Sequence, residues 1–216
     1  MMDSTDMDSN PLIYTLPVPD FKGSRPFEEV LSQRRSRRSF SGSAVSVEEI
    51  SQILWAANGL SEAPDHPQRG RELRTAPSAG ATYPLEVYLL AGNITGIDPG
   101  VYRHRPSGHS LIMVNNRDIK TEMASAAFDQ DMIETAPACL FFSAVYDRST
   151  KVYGRRGSER YVCMDLGHAA QNVYLQAEAL HLGTCAIGAF NDHAAARLMQ
   201  LADHETPLYI MTIGRY

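Results

Sequence analysis

Apolar positions along this chain recur at two periods, and the switches between them outline its elements. Pro26 suits the first turn of a helix, and Phe27, Val30 and Leu31 follow it at helical spacing, so a short helix is predicted up to a cluster of arginines. Ser46-Val-Glu-Glu49 has the spacing of a capping box. Ile50, Ile53, Leu54 and Ala57 then form one apolar stripe, closed by Asn58-Gly59. Residues 60–76 are polar and read as a loop. Residues 85–91 read as a strand, and residues 101–105 and 111–114 flank Ser107-Gly108 as a hairpin. A helix is predicted over 118–128, a strongly apolar strand over 138–146, and the longest helix over 158–182, stopped by Gly183. Its middle, 166–179, is apolar or small on most faces, which predicts a nearly buried helix. A strand at 184–187, a helix capped by Asn191, and a last strand at 208–213 complete the chain.

This irregular alternation, with a hairpin in the middle, predicts an α+β layered fold: a central, mostly antiparallel sheet flanked by helices. Residues 1–25, with Pro11, Pro17 and Pro19, read as an extended lead-in to a single domain over 26–216. The 216 residues, 44% hydrophobic, suffice for one well-cored domain.

Charge narrows the function. A net charge of −5 argues against a dedicated nucleic-acid binder, whose footprint is a broad basic face. No apolar run approaches the ~18 residues of a membrane helix, and the acidic, polar N-terminus lacks the features of a signal peptide. Cys139, Cys163 and Cys185 are odd in number and far apart, and read as reduced, buried thiols of a cytoplasmic protein. Metal chemistry is not expected: His181 and Cys185 are four apart, but the helix-ending Gly183 separates them.

Against this acidic background, Arg34, Arg35, Arg37 and Arg38 crowd around Ser36. The cluster can be a solvated face, a nucleic-acid contact or a phosphate site for a small cofactor. Ser36 adds a hydroxyl, and Phe40 on a Ser/Gly turn lets the segment fold back on the body. Guanidinium forks match phosphate oxygens and planar carbonyl groups. Gly-x-Ser-x-Gly, Gly-x-Gly-x-x-Gly and Walker loops do not occur. A flavin mononucleotide (FMN) fits what remains: one phosphate for the arginines, and close backbone approach to a flat ring at Gly80 or Gly188.

Arg34-Arg-Ser-Arg-Arg-Ser-Phe40 resembles the Arg-Arg-Ser-x-Arg-x-Phe signature that opens the FMN-dependent nitroreductase superfamily. Thr75-Ala-Pro-Ser-Ala-Gly-Ala-Thr-Tyr-Pro-Leu-Glu-Val-Tyr88 resembles a segment of its SagB-type dehydrogenase branch. So do residues 161–177, with Asp165-Leu-Gly-His168 and Gln171-Asn172. Cys185-Ala-Ile-Gly-Ala-Phe190 and Pro207-Leu-Tyr-Ile-Met-Thr-Ile-Gly214 continue the order, so the resemblance spans roughly residues 26–215.

The resemblance implies a nitroreductase-like fold, an obligate homodimer, and an FMN-dependent oxidoreductase that transfers two electrons through flavin N5. NADH or NADPH would be the reductant, and the substrate a small molecule or peptide. It places Arg34 and Ser36 on the phosphate with Arg35 nearby, and Arg38 on the ribityl chain and pyrimidine edge. Pro77, Ser78, Ala79 and Gly80 would line the flavin from the partner subunit. Ile187, Gly188 and Ala189 would run along the ring, and Gln130 would face the pyrimidine edge. Arg37, at the variable position of the signature, is expected as a solvated or dimer-facing charge.

Two departures qualify it. Many relatives carry a basic C-terminal extension, whereas this chain ends at Gly214-Arg215-Tyr216, leaving Arg215 or the N-terminal arginines to replace it. Azoline-oxidising relatives use a Lys-Tyr pair in proton abstraction. Here Val152 intervenes between Lys151 and Tyr153, the candidate catalytic residues, within a substrate-side loop. The pockets of the family are shaped by variable loops, corresponding here to residues 60–74 and 147–158. Alternatives to the general oxidoreductase are an azoline dehydrogenase modifying a peptide and a non-catalytic flavin-binding redox sensor.

Overall fold

The computed structural model describes residues 11–61 and 72–216; most of the anticipated 60–74 loop lies outside the described residues. In chain order the elements are β1 (Ile13–Thr15), α1 (Phe27–Gln33), β2 (Val45–Ser46), α2 (Val47–Asn58), β3 (Leu85–Ala91), β4 (Ile94–Thr95), β5 (Gly100–Arg105) and β6 (Ser110–Asn115). Then follow α3 (Lys120–Ala126), α4 (Asp131–Thr135), β7 (Ala138–Ala144), α5 (Asp147–Tyr153), α6 (Val162–Ala179), β8 (Gly183–Ile187), α7 (Asp192–Met199) and β9 (Thr206–Gly214).

Seven strands form one sheet in the order β1-β6-β5-β3-β7-β9-β8, with every neighbouring pair antiparallel. This is the α+β architecture expected. β3 and β7 lie at its centre and are buried at every position, because helices cover both faces. Their side chains alternate between two cores. Leu85, Val87, Leu89 and Ala91 join Leu140 and Phe142 on the side of α2 and α6. Tyr88 and Leu90 join Cys139 and Phe141 on the side of α3, α4 and α7. Phe141 and Phe142, one on each face, are fully buried, each worth about 1.5–3 kcal/mol of burial.

α2 has the predicted cap. Ser46 Oγ accepts from the Glu49 N–H at 3.3 Å, and Glu49 Oε2 accepts from the Ser46 N–H at 2.9 Å. Its stripe of Ile50, Ile53, Leu54 and Ala57 is fully buried. Part of the lead-in joins the sheet: β1 pairs with β6, and Leu16 is buried behind it.

Four differences from expectation follow. Residues 147–153, read as loop, form α5, and α4 is an additional short helix. The long helix is two pieces, a π-helical turn (Gly157–Tyr161) and then α6. α6 is also less buried than its composition suggests. Val162, Ala169, Ala170, Val173 and Ala177 face the core, but Met164, Gly167, His168 and Gln171 form an exposed stripe pointing away from it.

Candidate active site

The arginine segment leaves α1 and runs beside β8. Ser36 bridges Thr184 in parallel, the Arg37 N–H donates to the Thr184 carbonyl at 3.0 Å, and the Ser41 N–H donates to the Arg215 carbonyl at 2.9 Å. Gly183 makes this approach possible. A Cβ there would lie 3.1 Å from both Arg37 Cβ and the Tyr216 ring, and 3.2 Å from the Phe40 ring.

Tyr174, which projects from α6, joins this segment to β8. Its hydroxyl lies 3.0 Å from Ser36 Oγ and accepts from the Ala186 N–H at 2.9 Å. When the Tyr174 proton goes to Ser36, the serine proton is free for an outside acceptor. The Arg34 guanidinium lies over the Tyr174 ring, 5.1 Å from its centroid. Among the described residues neither Arg34 nor Arg38 pairs with a carboxylate. Arg35 turns back to the carbonyls of Ser32 and Arg34, at 3.1 and 2.7 Å.

Arg37 is not freely solvated, one of the two roles expected of it. It pairs with buried Glu178 at 3.2 Å and stacks 3.7 Å from the Tyr216 ring centroid. Both partners are far away in sequence, so nothing local announced them. Arg215 pairs with Glu49 at 2.8 Å. After β8, Gly188 and Ala189 are exposed while Ile187 is buried. Gln130 Nε2 donates to the Ala189 carbonyl at 3.1 Å and to that of Ala127 at 2.9 Å. The structure thus places Arg34 and Ser36 beside the start of the edge strand β8, and Gln130 with residues 187–189 at its far end.

Residues 77–81 belong to a second cluster, held by the first half of α6. Ser78 Oγ accepts from the Tyr83 N–H at 3.0 Å and donates to Asp165 Oδ2 at 2.6 Å. Burial pushes the Asp165 carboxyl above the usual carboxylate range, against the opposing hydrogen bonds from Ser78 and the Ala79 backbone. The His168 Nδ1–H donates to the Pro77 carbonyl at 3.1 Å. Gly80 has φ +59°, and a Cβ there would fall 2.3 Å from the Tyr153 hydroxyl. Tyr153 meets Tyr161 edge-on with centroids 4.9 Å apart, and Ser149 of α5 bonds Thr82 at 2.9 Å. Tyr153 is therefore brought against Gly80. Lys151 is not: it is exposed and lies 3.5 Å from Asp147, one turn earlier on α5.

Asp165 and Tyr174 stand nine residues apart on α6, about 14 Å along its axis, so one helix carries both clusters. Sequence reasoning did not assign either residue a role. The signal for Asp165 was available, as a carboxylate between apolar Met164 and Leu166 in a helix whose predicted face is buried.

The donor set fits a phosphate joined to a flat ring. Two guanidinium groups without carboxylate partners among the described residues and a serine hydroxyl flank the strand that ends in small, exposed residues. Among the described residues no group of three His, Cys, Asp or Glu could hold a metal ion, and no helix is long and apolar enough to cross a membrane.

Residues 31–215 match the family described as Nitroreductase family. A protein of Methanocaldococcus jannaschii named as a nitroreductase, MJ1384, is 41% identical over 198 residues, covering 92% of this chain and 94% of that one. The Microcin B17-processing protein McbC of Escherichia coli is 27% identical over 157 residues, 68% of this chain and 56% of McbC. Among solved structures, a Ralstonia eutropha protein named as a nitroreductase superposes with a TM-score of 0.78 at 28% identity, covering 98% of this chain and 95% of that one.

Proposed function

Because this chain belongs to the nitroreductase family, we propose that it is an FMN-dependent oxidoreductase working as a homodimer on a small-molecule or peptide substrate. The observation that carries this reading is the Arg34–Tyr174–Ser36 arrangement on β8. It presents phosphate donors along the strand that leads into exposed residues 188–189. FMN, when bound, supplies two-electron chemistry at ring N5 that no side chain provides.

The chain's own residues do the rest. Arg34 and Ser36 hold the phosphate, and Arg38 reaches the ribityl chain and the pyrimidine edge, where positive charge favours an electron-rich ring. Arg35 stays nearby, its side chain turned to the carbonyls of Ser32 and Arg34. Ile187, Gly188 and Ala189 run along the ring, kept in place by the Gln130 bond to Ala189. Arg215 reaches the phosphate only by leaving Glu49. Pro77, Ser78, Ala79 and Gly80 of a second copy line the ring and keep water from it. The Tyr153 hydroxyl, beside Gly80, is placed to hold or pass a proton at the substrate.

Anaerobic titration of FMN-loaded protein with NADH and with NADPH tests this. Bleaching of the flavin band by either nicotinamide, and its return on adding a quinone or nitroaromatic, is expected. A loaded protein that neither reductant bleaches would instead be a flavin-binding redox sensor. A second reading, dehydrogenation of azoline rings in a peptide, is favoured by the similarity to McbC and by Tyr153 beside Gly80. It requires turnover of a thiazoline-bearing peptide and loss of that turnover in both Tyr153→Phe and Lys151→Ala.

A further inference from the structure

A cavity of about 470 Å³ opens between the start of β3, the end of β5 and α5, away from the arginine segment at residues 34–38. Arg74, Arg103, Arg105 and Arg148 line it, with Glu72 and Glu86 as its carboxylates. Glu86 is shared: it lies 2.9 Å from Arg103 Nη2 and also pairs with Arg148. Glu72 accepts from the Ser107 hydroxyl at 2.8 Å. Among the described residues neither Arg74 nor Arg105 has a carboxylate partner. Four guanidinium groups against two carboxylates, among the described residues, give the wall a surplus of two positive charges, in a chain whose net charge is −5.

The surplus is held at a cost. Arg74 gives one N–H to Asn58 Oδ1 at 2.9 Å and stacks over Tyr83 at 4.8 Å, yet its Nε is buried without a partner. Burial, the largest effect, and the nearby Arg148 disfavour its charged form, against the opposing pull of Glu86 and Glu72. A buried, unpaired cationic donor beside like charges is destabilising unless an anion joins it. His104 in the same wall adds no charge, since burial holds it neutral. The cavity also meets the second cluster. Thr82 and Tyr83 line it, Arg148 donates to the Tyr83 carbonyl at 2.9 Å, and the Tyr83 N–H donates to Ser78.

We propose that this cavity is an oxyanion-binding site that takes the phosphate or carboxylate of a ligand through Arg74, Arg105 and the outward edges of Arg103 and Arg148. Its ties to Ser78 place the anionic end of a substrate or nicotinamide next to the wall formed by residues 77–81. That use of the anion rests on the flavoenzyme reading; the binding itself does not.

The test is calorimetric titration of FMN-saturated protein with inorganic phosphate, benzoate, NADH and NADPH, in wild type, Arg105→Ala and Arg34→Ala. Inorganic phosphate should bind wild type, weaken about tenfold in Arg105→Ala, the size of one charge-assisted contact, and be unchanged in Arg34→Ala. Arg105 is exposed, so its replacement leaves the fold intact. NADPH favoured over NADH assigns the site to a phosphate monoester, and benzoate binding that Arg105→Ala weakens assigns it to a carboxylate. The proposal is overturned if no oxyanion binds, or if phosphate binding survives Arg105→Ala and disappears in Arg34→Ala. If the protein does not take up FMN, the flavoenzyme reading fails by its colour, and the same phosphate titration of the flavin-free Arg34→Ala protein still decides the cavity.

Discussion

The Ser78 hydroxyl donates to the buried Asp165 carboxylate at 2.6 Å, which ties residues 77–81 to α6. Asp165 is raised above its unfolded pKa of about 3.9 by burial, so the folded chain holds this proton more tightly than the unfolded one. The cost of the ionised form is absent below the unfolded pKa. It grows as pH rises through the raised folded value and is complete above it. Asp165→Asn keeps an acceptor for Ser78 and loses the charge. Urea denaturation from acid to neutral pH should show the variant gaining on wild type as pH rises; a wild type that gains on the variant contradicts the assignment.

His104 and His109 give the opposite sign. The Ser51 hydroxyl donates to the Pro17 carbonyl at 2.6 Å, so His109 Nε2, 2.7 Å away, must donate to Ser51. The neutral His109 then accepts at Nδ1 from His104 Nε2–H at 3.4 Å. Burial, and then the neighbouring His109 and Arg74, lower His104 to about 3. Its contribution is complete above the unfolded value of about 6.5 and is lost as pH falls toward the folded one. The stability of wild type should fall by a few kcal/mol over this range. His104→Leu should be less stable at neutral pH but show a flatter acid limb; an unchanged acid limb counts against the pair.

Gly80 and Tyr153 form a steric couple. Gly80→Ala places a methyl group 2.3 Å from the Tyr153 hydroxyl, at a φ of +59° that costs an L-residue about 1–2 kcal/mol. Thermal melts should show Gly80→Ala destabilised by more than that strain alone. Adding Tyr153→Ala should recover the excess, giving a double-mutant coupling of about 1 kcal/mol or more. Additive effects would mean that the two residues do not meet in solution.

What the sequence revealed, and what it hid, follows from contact range. The capping box at Ser46–Glu49, the hairpin around Ser107-Gly108 and the apolar runs of β3 and β7 are local signals, and the structure shows each of them. α5 was read as loop because Arg148, Lys151 and Val152 interrupt any apolar stripe; only Ser149 of this helix is buried. The arginine cluster was visible as a donor set, but its division of labour was not. Arg37 is drawn to Glu178 and Tyr216, and Ser36 to Tyr174, by folding contacts more than 130 residues long. Tyr174 went unassigned for the same reason.

Tyr174→Phe tests that joint. The change leaves the Ala186 N–H without its acceptor and Ser36 without its neighbour, at about 1–2 kcal/mol of stability. Chemical denaturation reads the first effect, and FMN affinity, expected to fall several-fold, reads the second. A variant with wild-type stability and affinity shows that the phenol links nothing.

The central claim is that Arg34 and Ser36 hold the phosphate of FMN, and equilibrium binding of FMN followed by flavin fluorescence tests it most directly. Wild type should bind, Arg34→Ala and Ser36→Ala should each weaken binding by about 10- to 100-fold, and Arg35→Ala, whose side chain turns to its own helix, should change it little. A wild type that takes up no FMN, or an Arg34→Ala protein that binds it as tightly as wild type, would contradict the account.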